Sequence, residues 1–547
     1  MFAPLPAPAE MSGWDRAAVA LGLPELLLME NASREALHAL TEETPVRGKR
    51  VLLFMGGGNN GGDAVCLARH LHDAGAEVLV LHSRPLGSYR GVAKKHLWLA
   101  LHCGVTLAPA AGWPGRFRDT PWDVGAGVAV CERGGPDIVV DGLLGTGFSG
   151  TLRPLETKLV GYINALAQRA FIFSLDIPSG LSGMTGRPCP VAVRAHATVT
   201  FEAAKPGLVL PEAASYTGRL HVRPIGIPAV VRREHPASFQ LVLPEIAEAL
   251  PQAAPGWHKG SAGSILIVGG SEGLTGAPHL AARAALRSGA GLVSVAAPYG
   301  LCRDIKADCP DIMTRPLGPE GNVCWSPALL EGLQGFLPQC RALVLGPGIG
   351  RDPETAAFVQ ALLSCPSRPF AVVDADALHA LAVRPEALSS LRACDVLTPH
   401  PGEAATLLHT TPARVQADRF EALAGLRRLA PSVWILKGAG TLIGTEGQPT
   451  TVAPYAEPNL AVGGSGDVLA GCLGTLMAQT AAYPSEYCEH SSFLAACLAV
   501  RLHARAGELL RERFPQRGNT ATEIAEMLPQ ARAISDDKIK NGGKEIY

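Results

Sequence analysis

The chain has 547 residues, of which 47% are hydrophobic and 18% charged, and its formal net charge is −1. That composition belongs to globular protein, and the charge gives no electrostatic case for nucleic acid or an anionic membrane surface. The length exceeds what one hydrophobic core supports and fits two large domains, or roughly three to four average ones.

No apolar run approaches the ~18 residues of a membrane span. The opening MFAPLPAPAE lacks the basic region and apolar core of a secretion signal. The thirteen cysteines contain no CxxC pair. Buried, reduced thiols in a cytoplasmic protein are therefore expected, rather than a disulfide or zinc framework.

Residues 11–43 predict two helices separated near Gly22-Leu23-Pro24. The apolar run 50–55 predicts a strand. It opens into Gly56-Gly57-Gly58-Asn59-Asn60-Gly61-Gly62-Asp63, with a helix over 64–74. Strand, glycine turn, helix is the geometry that cradles phosphates in α/β folds. No lysine and serine or threonine follow as in a P-loop, and the two asparagines and aspartate point to directed amide and carboxylate contacts.

Alternation continues with strand 77–82, helix 89–103, strand 137–141, helix 154–168 and strands 171–175 and 197–201. It predicts a mainly parallel sheet covered on both faces, which binds ligands at the carboxyl ends of its strands. Two more such ends are chemically loaded: Asp141 to Gly150, and Asp176-Ile177-Pro178-Ser179-Gly180. Taken singly, each aspartate has a plainer reading as a loop cap. Together, Asn60, Asp141 and Ser179 offer oxygen ligands for a hard cation, and their low charge suits a monovalent ion better than Mg2+.

The segments MENAS, GGGNNGGD, DGLLGTGFSG and LDIPSGL, in this order over roughly residues 10–230, resemble the NAD(P)H-hydrate epimerase domain. Ala64 stands where that family usually has glycine. The resemblance implies a Rossmann-like domain in which Asn59, Asn60, Gly61, Gly62 and Asp63 line the hydrate cleft together with Gly145, Thr146, Gly147, Phe148, Ser149, Gly150 and Thr151. It implies potassium on Asn60, Asp141 and Ser179, and Asp176 beside the nicotinamide ring as acid/base. Lys205 falls near this cleft without an assigned role.

Residues 229–258 read as the exit from this domain. The boundary is set at 1–235 and 236–547. Strands are expected at 264–268, 292–296, 342–345, 370–373, 395–397 and 433–436, and helices at 276–289, 353–363, 467–482, 489–509 and 520–531. This is a second αβα layer pattern, with each motif just past a strand.

The most informative stretch is Gly463-Gly464-Ser465-Gly466-Asp467, a glycine-rich turn entering an apolar helix. Its glycines permit close approach and φ > 0, and the unpaired N–H groups at the helix start favour an anion such as phosphate. An acid there repels a phosphate, unless it takes a proton from a hydroxyl that attacks that phosphate. A tight turn with a helix-start carboxylate is the plainer alternative. Lys437 with its glycines and Thr441 supplies a cation, N–H groups and a hydroxyl to a nucleotide phosphate. His400, between Pro399 and Pro401, is either a substrate contact or a loop hydrogen bond.

The motifs GPGIG, DADAL, TPHPGE, KGAGT and GGSGDVLAG over about 245–530 resemble the ribokinase-like ADP/ATP-dependent NAD(P)H-hydrate dehydratase. Ser465 stands where threonine is frequent in that family. By the resemblance, Ala277, Gly348, His400 and Asp467 contact the hydrate, and Lys437, Gly438, Ala439, Gly440, Thr441 and Gly466 contact the nucleotide, with Asp467 catalytic.

Both halves together resemble the bifunctional NAD(P)H-hydrate repair enzymes. The implied substrates are the two hydrates and ADP, the implied cofactors K+ and Mg2+, and the implied context a cytoplasmic homo-oligomer without nucleic-acid or membrane partners. The competing expectation is a ribokinase-like vitamin or sugar kinase fused to a ligand-binding domain. The polar stretch from Ser535 to Tyr547 is expected to be loosely ordered.

Overall fold

A computed structural model describes residues 1–112, 135–253, 255–480 and 488–533. The polar tail from Ser535 lies outside the described residues. The chain forms two compact units, one over Pro4–Gln240 and one from Leu241 onward that also takes in Met1–Ala3.

The first strand, β1 (Phe2–Pro4), belongs to the sheet of the second unit. The first unit is built on β2 (Arg50–Met55), β3 (Glu77–His82), β4 (Thr106–Pro109), β5 (Ile138–Gly142), β6 (Phe171–Leu175), β7 (Ala197–Phe201) and β8 (Arg219–Arg223). These lie in the order β4-β3-β2-β5-β6-β7-β8, every neighbouring pair parallel.

Strand side chains alternate between faces, and both faces here are apolar. Val51, Leu53 and Met55 pack against helices Pro8–Ala20, Glu25–Glu43 and Asn59–Asp73. Leu52 and Phe54 pack against helix Pro154–Leu166. A sheet covered on both faces leaves its strand ends as the open edge for chemistry.

The helix expected over 64–74 begins earlier, at Asn59. Gly61 and Gly62, helical positions read as loop, are glycine because neighbouring atoms leave no room for a side chain there. A Cβ at Gly61 would lie 2.0 Å from the Gly56 carbonyl oxygen, and one at Gly62 would lie 2.6 Å from Met29 Cε.

The second unit adds β9 (Phe239–Val242), β10 (Ser264–Val268), β11 (Leu292–Pro298), β12 (Met313–Leu317), β13 (Ala342–Leu345), β14 (Phe370–Val373), β15 (Val396–Leu397), β16 (Val433–Leu436), β17 (Thr441–Gly444) and β18 (Thr450–Ala453). The sheet order is β1-β9-β18-β17-β16-β15-β14-β13-β10-β11-β12. It is parallel from β16 to β12, and β17 pairs antiparallel with both β16 and β18. Ile265, Ile267, Val344 and Ile435 share one core with helices Gly276–Arg287, Ser465–Thr480 and Cys488–Leu510. Leu266, Val268, Leu343 and Leu345 on the other face are also fully buried. Both units are therefore αβα sandwiches.

Among the described residues no helix is long and apolar enough to cross a membrane. Ten described cysteines are free thiols. Cys394 is disulfide-bonded, which departs from the all-thiol expectation.

Two helical glycines separate propensity from packing. Alanine favours a helix interior by about 1 kcal/mol over glycine. At Gly13 a Cβ meets only Arg16 Nη2 at 4.0 Å, whereas at Gly471 it would lie 2.0 Å from the Ala281 carbonyl oxygen. Gly13→Ala should stabilise its unit by about 0.5–1 kcal/mol, and Gly471→Ala should destabilise its unit by about 1–3 kcal/mol. Urea denaturation of both variants measures the two signs, and a stabilised Gly471→Ala would contradict the close packing of helices 465–480 and 276–287.

Candidate active sites

In the first unit a cavity of about 980 Å³ opens at the strand ends. Of the residues expected to line a cleft, Asn59, Asn60, Asp63, Gly145, Thr146, Gly147, Phe148, Ser149, Thr151 and Asp176 do so. Gly61 and Gly62 are buried in the first helical turn instead, and Gly150 is not among the lining residues.

Asp176 follows β6 directly and has φ 63, a conformation that costs a non-glycine residue strain and recurs at functional positions. Its Oδ2 accepts the Thr146 N–H at 2.9 Å, and its Oδ1 accepts Lys205 Nζ at 2.7 Å. Lys205 is fully buried, and its other bonds run to Thr200 Oγ1 at 2.8 Å and the Phe201 carbonyl at 3.2 Å. An ammonium has three donors, and all three are used.

Burial alone would raise the Asp176 carboxyl. The Lys205 charge, with the hydrogen bonds from Lys205 and Thr146, outweighs burial and holds it below the usual range. Two neighbouring carboxyls go the other way. Asp63 is pushed well up by burial and then by the charges of Asp176 and Asp15. Asp15 is raised to about 6 by burial, against the pull of Lys205. One carboxyl held down thus sits beside two that burial pushes up, and such divergence is what acid–base chemistry uses.

Asp141 is fully buried at the end of β5. Its Oδ1 accepts Ser179 Oγ at 2.5 Å, and its Oδ2 accepts the Ser179 N–H at 2.8 Å. Asn60 donates to the Leu144 carbonyl at 2.7 Å and the Leu175 carbonyl at 3.1 Å, which orients its amide. Its Oδ1 is buried without a hydrogen-bond partner, which fits an oxygen that ligates a cation.

In the second unit the neighbouring strands β13, β14, β15 and β16 end in Gly348, Asp374, His400 and Lys437 respectively. Asp374 is buried, and its Oδ1 accepts Lys437 Nζ at 2.7 Å and Thr398 Oγ1 at 2.7 Å. Burial would lower the Lys437 ammonium, but Asp374 and Glu403 outweigh it and raise it. A Cβ on Gly466 would lie 3.4 Å from Lys437 Nζ, so the start of helix Ser465–Thr480 meets this pair. Asp467 in that first turn is raised to about 7 by burial and then by Asp374, against Lys437. Glu403 is likewise raised to about 7, by burial first.

The loop after β16 is held from behind by Arg419. Its guanidinium donates to the carbonyls of Leu436 at 3.1 Å, of Lys437 at 3.3 Å and of Ala439. The Thr441 hydroxyl donates to the Gly438 carbonyl at 2.9 Å, so it stiffens the loop from within. Gly438 and Gly440 have positive φ. Among the glycines of the GGSGD turn, Gly464 alone does, at 88°. Ala277 opens helix Gly276–Arg287, and a Cβ on Gly348 would lie 3.1 Å from the Ala277 Cβ, so these two expected contacts are adjacent.

His400 caps helix Pro401–Leu407: its Nδ1 accepts the N–H groups of Gly402 at 2.9 Å and Glu403 at 3.3 Å. Those bonds assign the proton of the neutral ring to Nε2, which stands 3.5 Å from Glu403 Oε1 and is half-exposed, so it can turn its N–H to a ligand. Both readings of His400, loop hydrogen bond and donor to a ligand, are compatible with this geometry.

Sequence reasoning gave no role to Lys205, Asp15, Asp374, Glu403 or His503. Lys205 and Asp374 lie just past strands, which was the signal available. Asp15 carried none, because its helix precedes the sheet. His503, 38 residues beyond the turn, stands 3.1 Å from Ser465 Oγ, and burial takes it down to about 4, so it is neutral.

Two αβα units, each with a lysine-tuned carboxylate cluster at the carboxyl edge of a parallel sheet, define a two-domain α/β enzyme. Residues 25–207 match the family model described as YjeF-related protein N-terminus, and residues 265–530 match that described as NAD(P)H-hydrate dehydratase. The bifunctional NAD(P)H-hydrate repair enzyme Nnr of Moorella thermoacetica is 39% identical over 537 residues, 97% of either chain. Its namesake in Escherichia coli is 31% identical over 94% of this chain and 90% of its own. A solved ADP/ATP-dependent NAD(P)H-hydrate dehydratase from Bacillus subtilis superposes with a TM-score of 0.41 at 23% identity, over 52% of this chain and 94% of its own. The chain belongs to the family of bifunctional NAD(P)H-hydrate repair enzymes.

The Lys205 ammonium offsets the burial of the Asp176 charge, so Lys205→Met should cost about 3–5 kcal/mol at pH 7. In the wild type the lowered Asp176 carboxyl contributes stability at neutral pH that is lost only as pH falls through its lowered native value. In the variant burial is less opposed, the carboxyl rises above its unfolded value, and the loss should shrink between pH 7 and pH 5. Chemical denaturation at both pH values checks this, and a pH-independent loss would mean that Asp176 is not the charge being compensated.

Proposed function

We propose that the chain repairs NAD(P)H hydrate in two steps, with residues 1–235 interconverting the R and S epimers and residues 236–547 dehydrating the S form at the expense of ADP. The observation that carries this reading is the buried lysine–aspartate pair at the strand ends of each unit, set beside further carboxyls that burial pushes up.

In the first unit Asp176, ionised at neutral pH, accepts the hydroxyl proton of the hydrate. The ring carbon bearing that hydroxyl also bears the ring nitrogen. Its carbon–nitrogen bond can therefore open to an aldehyde while the nitrogen takes a proton from Asp63, whose carboxyl burial pushes up and so makes a readier proton donor. Reclosure from either side yields both epimers, and Asn59, Thr146 and Ser149 hold the polar parts of the ligand. Asn60, Asp141 and Ser179 would hold potassium, to which Asn60 Oδ1 offers a buried, unpartnered oxygen; when bound, the ion supplies fixed positive charge to substrate oxygens.

In the second unit the difficulty is the leaving group, because hydroxide departs poorly and phosphate departs well. Asp467 takes the proton from the hydrate hydroxyl as that oxygen attacks the terminal phosphoryl group of ADP. Lys437 and the N–H groups of the first helical turn hold the transferred charge. AMP is released, phosphate then leaves the ring carbon as the ring nitrogen's lone pair pushes it out, and the adjacent ring carbon gives up a proton to the departing phosphate, which forms the double bond of the dihydropyridine. Ala277, Gly348 and His400 contact the hydrate, and Gly438 to Thr441 contact the nucleotide. Asp374 and Glu403 are hard oxygen donors of the class that would hold the Mg2+ accompanying ADP. We read the protein as a cytoplasmic homo-oligomer on the same family grounds.

With the S hydrate and ADP, recovery of dihydronicotinamide absorbance measures dehydration. Asp467→Asn should slow it by about 10²–10⁴-fold and leave epimerisation intact, whereas Asp176→Asn should abolish use of the R form alone. A stable phosphorylated product without recovery would favour a kinase and overturn the reading.

Asp467 must be ionised to act, so the dehydration rate should climb up to tenfold per pH unit below about 7 and level off above it. A flat profile from pH 5.5 to pH 8 would remove Asp467 as the base.

A further inference from the structure

Helices Glu25–Glu43, Asn59–Asp73 and Gly91–His102 meet on one face of the first sheet. At their meeting point stand Glu30, Cys66 and His96, whose ligand atoms all lie within 4.8 Å of one another. Cys66 Sγ is 3.3 Å from Glu30 Oε2, and His96 Nδ1 is 3.9 Å from the same oxygen. His70 Nε2 lies 3.0 Å from Glu30 Oε1.

His96 is 1% exposed, and neither of its ring nitrogens makes a hydrogen bond of normal geometry. Its polar surroundings are the Glu30 carboxylate, the Leu26 backbone, the Arg69 guanidinium and the His70 ring. A buried imidazole without a partner is costly, and a metal ion offers the missing one.

We propose that Glu30, Cys66 and His96 form a metal site of the zinc class, with the fourth position open to His70 or water. Tetrahedral zinc with ligands at about 2.0–2.3 Å separates neighbouring ligand atoms by about 3.3–3.5 Å. The Cys66–Glu30 separation of 3.3 Å already matches, whereas His96, 3.9 Å from Glu30 and within 4.8 Å of Cys66, has to move inward by about half an ångström or more, within reach of a side-chain rotation. A thiolate, an imidazole and one carboxylate oxygen select zinc over Mg2+, Ca2+ or K+.

Charge is accommodated as well. Thiolate and carboxylate neutralise a divalent ion, and the thiol proton leaves to solvent. Arg69 Nη2 donates to Glu30 Oε1 at 2.8 Å and to Oε2 at 2.7 Å and stands 3.8 Å from Cys66 Sγ, so the ion has to displace this guanidinium from Oε2, leaving it on Oε1. The site would tie together three helices, including the one whose first turn carries Asn59 and Asn60. It does not depend on the repair reaction.

Cobalt(II) titrated into the full-length chain after chelator treatment should bind one equivalent and give a thiolate-to-cobalt charge-transfer band that zinc abolishes. Cys66→Ser should remove the band, and His96→Gln should weaken cobalt binding at least tenfold, with melting curves checking that each variant is folded. Should Cys66→Ser fail to fold, Glu30→Gln takes its place, with the same tenfold loss expected. Absence of a band in the wild type, or a band surviving in Cys66→Ser, would overturn the proposal.

Discussion

Each unit depends on a lysine ammonium held 2.7 Å from an aspartate at the carboxyl ends of parallel strands: Lys205 with Asp176, and Lys437 with Asp374. Burying one charge is expensive, and burying a pair is tolerable only when geometry satisfies both partners. Lys205 meets that condition with three donors used. Lys437 is less enclosed, with Asp374 accepting from Thr398 as well. In both units the pair also fixes the state of its surroundings. Once a carboxylate is claimed by the lysine, the remaining acids share a crowded, poorly solvated space, and protonation relieves them.

The fold was largely legible in the sequence because strand-length apolar runs alternated with helical patterns. Strands at 50–55, 77–82, 171–175, 197–201 and 433–436 have the expected bounds. Elements whose stability comes from tertiary pairing escaped notice. The sequence of β17 and β18 is short and rich in threonine, and these strands exist because β16 offers them an edge. β1 was missed for the same reason: three residues carry no periodicity, yet the Met1 carbonyl accepts the Leu243 N–H at 3.0 Å and Phe2 packs on Phe493.

Site residues were legible where a motif stood just past a strand, and obscure where a side chain reached the site from elsewhere. Asp176, Asp467 and Lys437 announce themselves by glycine-rich surroundings. Asp15 and His503 do not, since helices 8–20 and 488–510 bring them in by packing. The glycines themselves were misjudged in a physically informative way. Positive φ accounts for Gly464 and Gly438, but Gly56, Gly61 and Gly471 are required because backbone carbonyls lie within 2.0 Å of where a Cβ would stand. Sequence cannot separate these two demands, because both select the same residue.

Desolvation raises every buried carboxyl, so burial alone cannot assign a base. Asp176 escapes through direct contact with Lys205 and an N–H bond from Thr146, and it is ionised well below neutrality. Asp467 has no such contact with Lys437, whose ammonium is engaged by Asp374, and it titrates near 7. The difference suits the roles proposed for the two carboxylates. A hydrate hydroxyl that merely opens and recloses needs a base that is always ready, whereas phosphoryl transfer gains from a carboxylate basic enough to accept the proton late, as the oxygen–phosphorus bond forms. Which carboxylate the lysine engages therefore sets which one is held down and which one burial raises toward neutral pH.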